Sequence, residues 1–152
     1  MSLPEPQDPG FAARVIERFA AQAFMATLGA RLGVVEAGCV EILLPIGRHL
    51  GQQEGFVHAG ALWSIADSAS GFAAQSLMPA HAEVLTVELK INLIRPARGR
   101  LLRATGNVRR AGRTLSVCET SVTAHDTEEG SDAGREVALT LGTFMCMTRE
   151  VR

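Results

Sequence analysis

The sequence is poor in residues that mark several common functions. Aromatic side chains make up only 5% of the 152 residues, with one Trp and no Tyr, so a platform for stacking nucleobases is not encoded. The formal net charge is -1, and no aromatics interleave with the cations, so nucleic acid is not the expected partner. The three cysteines, Cys39, Cys118 and Cys146, are odd in number, far apart and free of any C-x-x-C pair. That pattern argues against a disulfide framework or a zinc site, and each reads as a small core residue. No uncharged run approaches the roughly 18 apolar residues that span a bilayer; the candidates are broken by Arg18, Arg31, Asp67 or Glu83. The segment Met1–Gly10 carries Glu5 and Asp8 and lacks the basic start and apolar stretch of a signal peptide, so a cytoplasmic location and no membrane contact are expected. G-x-S-x-G, P-loop and G-x-G-x-x-G motifs are missing.

What is present suits one folded domain: 47% apolar and 20% charged residues. Residues 1–10, with Pro4 and Pro6, read as a flexible tail, and 11–149 as the domain. Phe11, Val15, Phe19 and Ala23 recur every fourth position and predict a helix to about Met25, with Gly29 as its stop. Short strands are expected near 31–36 and 39–45, then a loop over 48–57. A central helix is expected over 59–77. Its apolar stripe is Leu62, Ile65, Ala66, Ala69, Ala73 and Leu77, and it is crowded with Ala, Gly and Ser that allow close packing. The remainder reads as strands. Leu85, Val87, Leu89, Ile91 and Leu93 alternate with polar residues as one half-buried face. Strands near 102–108, 114–124 and 137–147 follow, with a polar loop at 126–134. Consecutive strands outnumbering helices predict an α+β fold with a mostly antiparallel sheet.

Two features carry possible chemistry. The stretch QQEGFVHAGALWSIADSASG (52–71) delivers His58 to a helix start and places Asp67 inside the helix. Nine residues of helix separate them by about 13 Å, so they cannot form an acid–base dyad within one chain. Either they do different jobs or they meet across subunits. The N–H groups of Ala59, Gly60 and Ala61 at the helix start can polarise a carbonyl oxygen. The second feature is charge: residues 95–113 hold seven Arg, at 95, 98, 100, 103, 109, 110 and 113, and no Asp or Glu. A small phosphorylated ligand fits such a segment better than a polynucleotide.

The segment Gln53-x-Gly55-Phe56-x-His58-Ala59-Gly60, followed by Asp67, resembles the hotdog-fold acyl-CoA thioesterases of the PaaI type. LTVELKIN (85–92), Arg95-Pro96-Ala97 and the Arg110-x-Gly112-Arg113 turn extend the resemblance over roughly residues 25–148. It implies a hotdog fold: a long central helix wrapped by a curved, mostly antiparallel sheet of about six strands. It also implies a homo-oligomer, a dimer or a dimer of dimers (a homotetramer), with sites at the subunit interface. The activity implied is hydrolysis of an acyl-CoA to free acid and coenzyme A, with no metal and no cofactor beyond the coenzyme A of the substrate. Carried over by position, Asp67 is the nucleophile or general base. Ala59 stands where the family has a Gly whose N–H holds the thioester oxygen, beside His58 and Gly60. Gln52 or Gln53 replaces an Asn that places water, and Thr86 falls near that water. Arg95, Arg110, Gly112 and Arg113 are the candidates for the coenzyme A phosphates. Two rival readings fit the same residues: a hotdog hydratase or dehydratase, and a non-catalytic acyl-CoA-binding module.

Overall fold

The computed structural model describes residues 4–148. Three α-helices, α1 (Phe11–Ala20), α2 (Ala23–Leu28) and α3 (Ala59–Ser76), accompany six strands. These are β1 (Arg31–Glu36), β2 (Cys39–Pro45), β3 (Ala82–Leu93), β4 (Leu101–Ala111), β5 (Leu115–His125) and β6 (Arg135–Thr148). They form one sheet in the order β1-β2-β4-β5-β6-β3. Every pairing is antiparallel, and β1 and β3 are the two edges.

Helix α3 touches β2, β3, β4, β5 and β6, so the sheet curls around it. The predicted stripe is therefore too narrow. Ile65, Ala66, Ala69 and Ala73 are buried, but so are Gly71 and Gln75 on the opposite face. Small side chains make that enclosure possible. A Cβ on Gly106 of β4 would fall 2.5 Å from the carbonyl carbon of Ala69, so strand and helix backbones nearly touch there. The buried hydroxyls are satisfied locally: Ser70 and Thr120 share a 2.5 Å hydrogen bond, and Ser76 accepts one from the Gly38 N–H at 2.8 Å. Phe144 of β6 fills the space beside Gly71. Its complete burial contributes about 1.5–3 kcal/mol.

The first helical region differs from the expectation. The periodicity predicts one helix to Met25, whereas the chain breaks at Ala21–Gln22 into α1 and α2. Tertiary contacts account for the break. Arg14 of α1 donates to the carbonyls of Gln75 and Met78, both at 2.9 Å, and caps the end of α3. Gln22 instead adopts an extended conformation and accepts a hydrogen bond from Ser68 Oγ at 3.3 Å. A straight helix could not serve both the end and the middle of α3.

Strand β3 also differs. Residues 85–93 alternate without interruption in sequence, but the strand carries a bulge between Thr86 and Glu88. Before the bulge Val84 and Thr86 lie opposite Cys146 and Phe144; after it Leu89 and Ile91 lie opposite Gly142 and Thr140. Directly opposed residues share a face. The inward phase thus moves from even to odd numbers at Val87, and Leu85 and Val87 are 50% and 54% exposed rather than half-buried with Leu89.

Candidate functional site

The loop before α3 folds back on itself. Gly51 and Val57 form an isolated bridge, the Gln52 N–H donates to the Phe56 carbonyl at 2.8 Å, and Gly55 takes a left-handed φ of 80°. A residue with a Cβ is disfavoured in that conformation, which explains the glycine. The loop is tied to the chain around it by His58 N–H to Leu50 C=O at 2.8 Å and Val57 N–H to Ala97 C=O at 3.1 Å.

His58 is the N-cap of α3. Its Nδ1 accepts from the Gly60 N–H at 2.9 Å, which puts the proton of the neutral ring on Nε2. The Ala61 N–H is taken by the His58 carbonyl at 3.0 Å. Of the three helix-start donors expected from sequence, only the Ala59 N–H is unengaged among the described residues. Ala59 lines a cleft of about 620 Å³ whose walls also include Gln52, Gln53, His58, Leu62 and Arg95. The Gln52 side-chain oxygen is engaged by the Glu54 N–H, while the Gln53 side chain makes no hydrogen bond among the described residues.

Asp67 lies elsewhere. It lines a second cavity of about 320 Å³ between α2 and α3, with Gln22, Phe24, Trp63 and Ser64. A smaller pocket of about 80 Å³ joins it to Thr86 of β3. Thr86 Oγ1 donates to Asp67 Oδ1 at 2.8 Å. Burial pushes the Asp67 carboxyl above its ordinary value, and the Thr86 hydrogen bond opposes that rise. A half-buried carboxylate of raised basicity, held by one hydroxyl, is a better proton acceptor than an exposed one. Gln22 was not singled out from sequence; the one signal was an amide inside an otherwise apolar helical run.

The site residues thus fall into separate groups within a chain. Asp67 and Thr86 meet; Gln52, Gln53, His58, Ala59 and Arg95 meet; and among the described residues none lines both the Ala59 cleft and an Asp67 cavity. Arg110, Gly112 and Arg113 sit at the β4–β5 turn, at the far end of β4 from Leu101, which is near the cleft. Burial pushes the Cys118 thiol up to about 12 and raises Cys39 and Cys146 as well, so none is a ready nucleophile. No group of three His, Cys, Asp or Glu residues suited to a metal ion occurs among the described residues. No helix there is long and apolar enough to cross a membrane.

Residues 54–131, just over half of the chain, match the family model described as Thioesterase superfamily. The chain belongs to the thioesterase superfamily. A crystal structure of a thioesterase family protein from Silicibacter pomeroyi is 41% identical and superposes with a TM-score of 0.86, over 92% of this chain and 100% of that one. A protein of Halobacterium salinarum named as an esterase is 40% identical over 97 residues, and the match spans 62% of each chain's length. The PaaI protein of Escherichia coli, from the phenylacetic acid degradation operon, shares the fold: TM-score 0.77 at 19% identity, over 90% of this chain and 96% of that one. This thioesterase-family chain therefore has the hotdog fold, an unclosed six-stranded antiparallel sheet around a long helix. Within that fold, the family-matched region contains both His58 and Asp67.

Proposed function

We propose that the protein hydrolyses an acyl-CoA thioester to a free acid and coenzyme A, at a site built from two copies of the chain. The observation that carries this is the division of the candidate groups. One protomer offers the basic carboxylate, Asp67 with Thr86, and Ala59, with its free N–H, lines a different cleft. Edge strand β3 exposes Leu85 and Val87 beside Thr86, which favours a second chain pairing along that edge. The partner's helix start then faces Asp67, in a dimer or a dimer of dimers.

In this reading the Ala59 N–H, at the positive end of α3, holds the thioester oxygen. Asp67 takes a proton from a water that attacks the carbonyl carbon, or attacks that carbon itself and is released by water. The C–S bond breaks, and the coenzyme A sulfur leaves with the proton. Gln53, whose amide is free, orients the water. His58 acts through the helix: it caps α3 and leaves Ala59 as the exposed donor.

The test is thiol release from aryl and straight-chain acyl-CoAs by the wild type and Asp67→Asn in parallel. Turnover by the wild type with most of it lost in the variant is expected. Equal turnover in both would move the chemistry off Asp67. No thiol from any substrate, with tight acyl-CoA binding, would make the protein a binding module.

A further inference from the structure

Seven arginines lie between residues 95 and 113, and the structure separates them by what they already hold. Arg100 is paired with Glu128 at 2.8 Å, Arg103 with Glu41 at 3.9 Å, and Arg109 with Glu119 at 3.5 Å. Arg95 donates to the Glu136 carbonyl at 2.5 Å. Arg98, Arg110 and Arg113 make no ion pair among the described residues, and of these three Arg98 is the one that lines a large cleft. Its guanidinium lies 4.2 Å from the centroid of the Phe56 ring, a stack that orients the group and leaves its N–H edge free. The backbone under it is held as well: Arg135 donates to the Arg98 carbonyl at 3.2 Å while bonding both oxygens of Asp126 at 2.6 and 3.0 Å.

Arg98 opens into another concavity, of about 620 Å³, which Arg48 also lines. Arg48 is likewise without an ion pair among the described residues. Among the described residues no carboxylate lines this cleft; Glu54, at the tip of the neighbouring loop, lines neither large cleft. Two unneutralised guanidiniums in a concave, carboxylate-free setting form an anion site. The cleft adjoins the one that Ala59 lines. The two share Gln52, Gln53, Phe56, Val57 and Ala97, so they are halves of one trough with the Gln52–Val57 loop as the ridge between them. Arg110 and Arg113 lie at the other end of β4, roughly 33 Å along the strand from Leu101.

We infer that Arg48 and Arg98 bind the phosphates of the substrate's coenzyme A, the pantetheine arm crossing the 52–57 loop to bring the thioester to Ala59. This rests on the acyl-CoA thioesterase reading, and it moves the phosphate site from the Arg110–Arg113 turn to the trough beside the reacting end. Arg48 contributes charge from the short turn after β2. Arg98 contributes a guanidinium whose orientation is set before substrate arrives, which lowers the ordering cost of binding.

The experiment compares Arg48→Gln/Arg98→Gln with wild type in the full chain. Two substrates carry the same acyl group, one on coenzyme A and one on pantetheine, which lacks the phosphates. The expected result is a KM for the acyl-CoA raised about 10- to 100-fold with kcat retained, and unchanged kinetics on the acyl-pantetheine. An unchanged KM for the acyl-CoA overturns the inference. So does an equal loss on both substrates, or a KM effect carried instead by Arg110→Gln/Arg113→Gln. Calorimetric titration with adenosine 3′,5′-bisphosphate separates this inference from the reaction itself. Binding by wild type and its loss in the double variant support the phosphate site even if no thioester is cleaved. No binding by wild type overturns it.

Discussion

Thr86 reaches Asp67 because β3 slips phase at Val87. The 2.8 Å hydrogen bond from Thr86 Oγ1 to Asp67 Oδ1 requires Thr86 to point at α3, and the bulge between Thr86 and Glu88 puts it there, opposite the buried Phe144. Without the bulge, Thr86 would share the outward face of Glu88 and Lys90, and Asp67 would face Leu85 or Val87 instead. Bulges commonly re-aim one side chain beside a site.

The Asp67 carboxyl is raised chiefly by burial, so its charge opposes folding. The folded chain then holds the proton more tightly than the unfolded one. Stability therefore falls as pH rises from the ordinary carboxylate value, about 3.9, through the raised folded value, and the cost persists above it. Asp67→Asn is expected to lower thioester hydrolysis about 100-fold or more. It should also raise Tm at neutral pH, with the gain shrinking in acid. Melting both proteins across pH checks this; a lower Tm for the variant at neutral pH would show that the charge is stabilising.

Thr86→Val removes the one interaction that lowers the Asp67 carboxyl. The acid limb of the pH–rate profile, where activity appears as the carboxylate ionises, is expected to move to higher pH. Activity on the alkaline side should be largely kept. A limb that stays in place would mean that the reacting group is not the one Thr86 holds.

Ala59→Pro deletes the single free donor of the helix start and little else. Ala59 is the first helical residue, a position that tolerates proline. His58, at φ -63° and ψ 137°, already has the extended conformation that a following proline demands. The expected outcome is an intact fold by circular dichroism with kcat lowered about 100- to 1000-fold. Full activity in a folded variant would remove Ala59 from the chemistry.

His58 is expected to matter through its cap. His58→Ala should cost about 1 kcal/mol of stability by denaturant titration, because the Gly60 N–H loses its acceptor. His58→Asn supplies a capping oxygen and should restore both stability and most activity. If Asn restores stability but not turnover, the imidazole takes part directly.

Gly106→Val drives a side chain into the Ala69 carbonyl, where even a Cβ finds atoms at 2.5 to 2.7 Å. Overpacking of this kind costs about 1–3 kcal/mol. Loss of less than that in a denaturant titration would show that α3 can lift from β4.

Much of the fold is legible because its signals are local. Gly29, with φ 81°, stops the helical region; Ala37-Gly38 turns β1 into β2; Pro79 follows the end of α3. The period-2 and period-3.6 patterns mark β2, β6 and α3 close to their observed limits. Asp67 stood out as an acid inside an Ala-rich helix, and the Arg-rich segment stood out by composition. Only tertiary structure decided the break at Gln22, since α1 must cap the end of α3 while Gln22 meets Ser68. It also decided the phase of β3. Alternation states which neighbours share a face but not where the phase slips, and pairing with β6, some fifty residues on, sets that point. The same holds for charge. Local sequence shows seven arginines alike, whereas Glu41, Glu119 and Glu128, brought from elsewhere in the chain, neutralise three of them, and Phe56 orients Arg98.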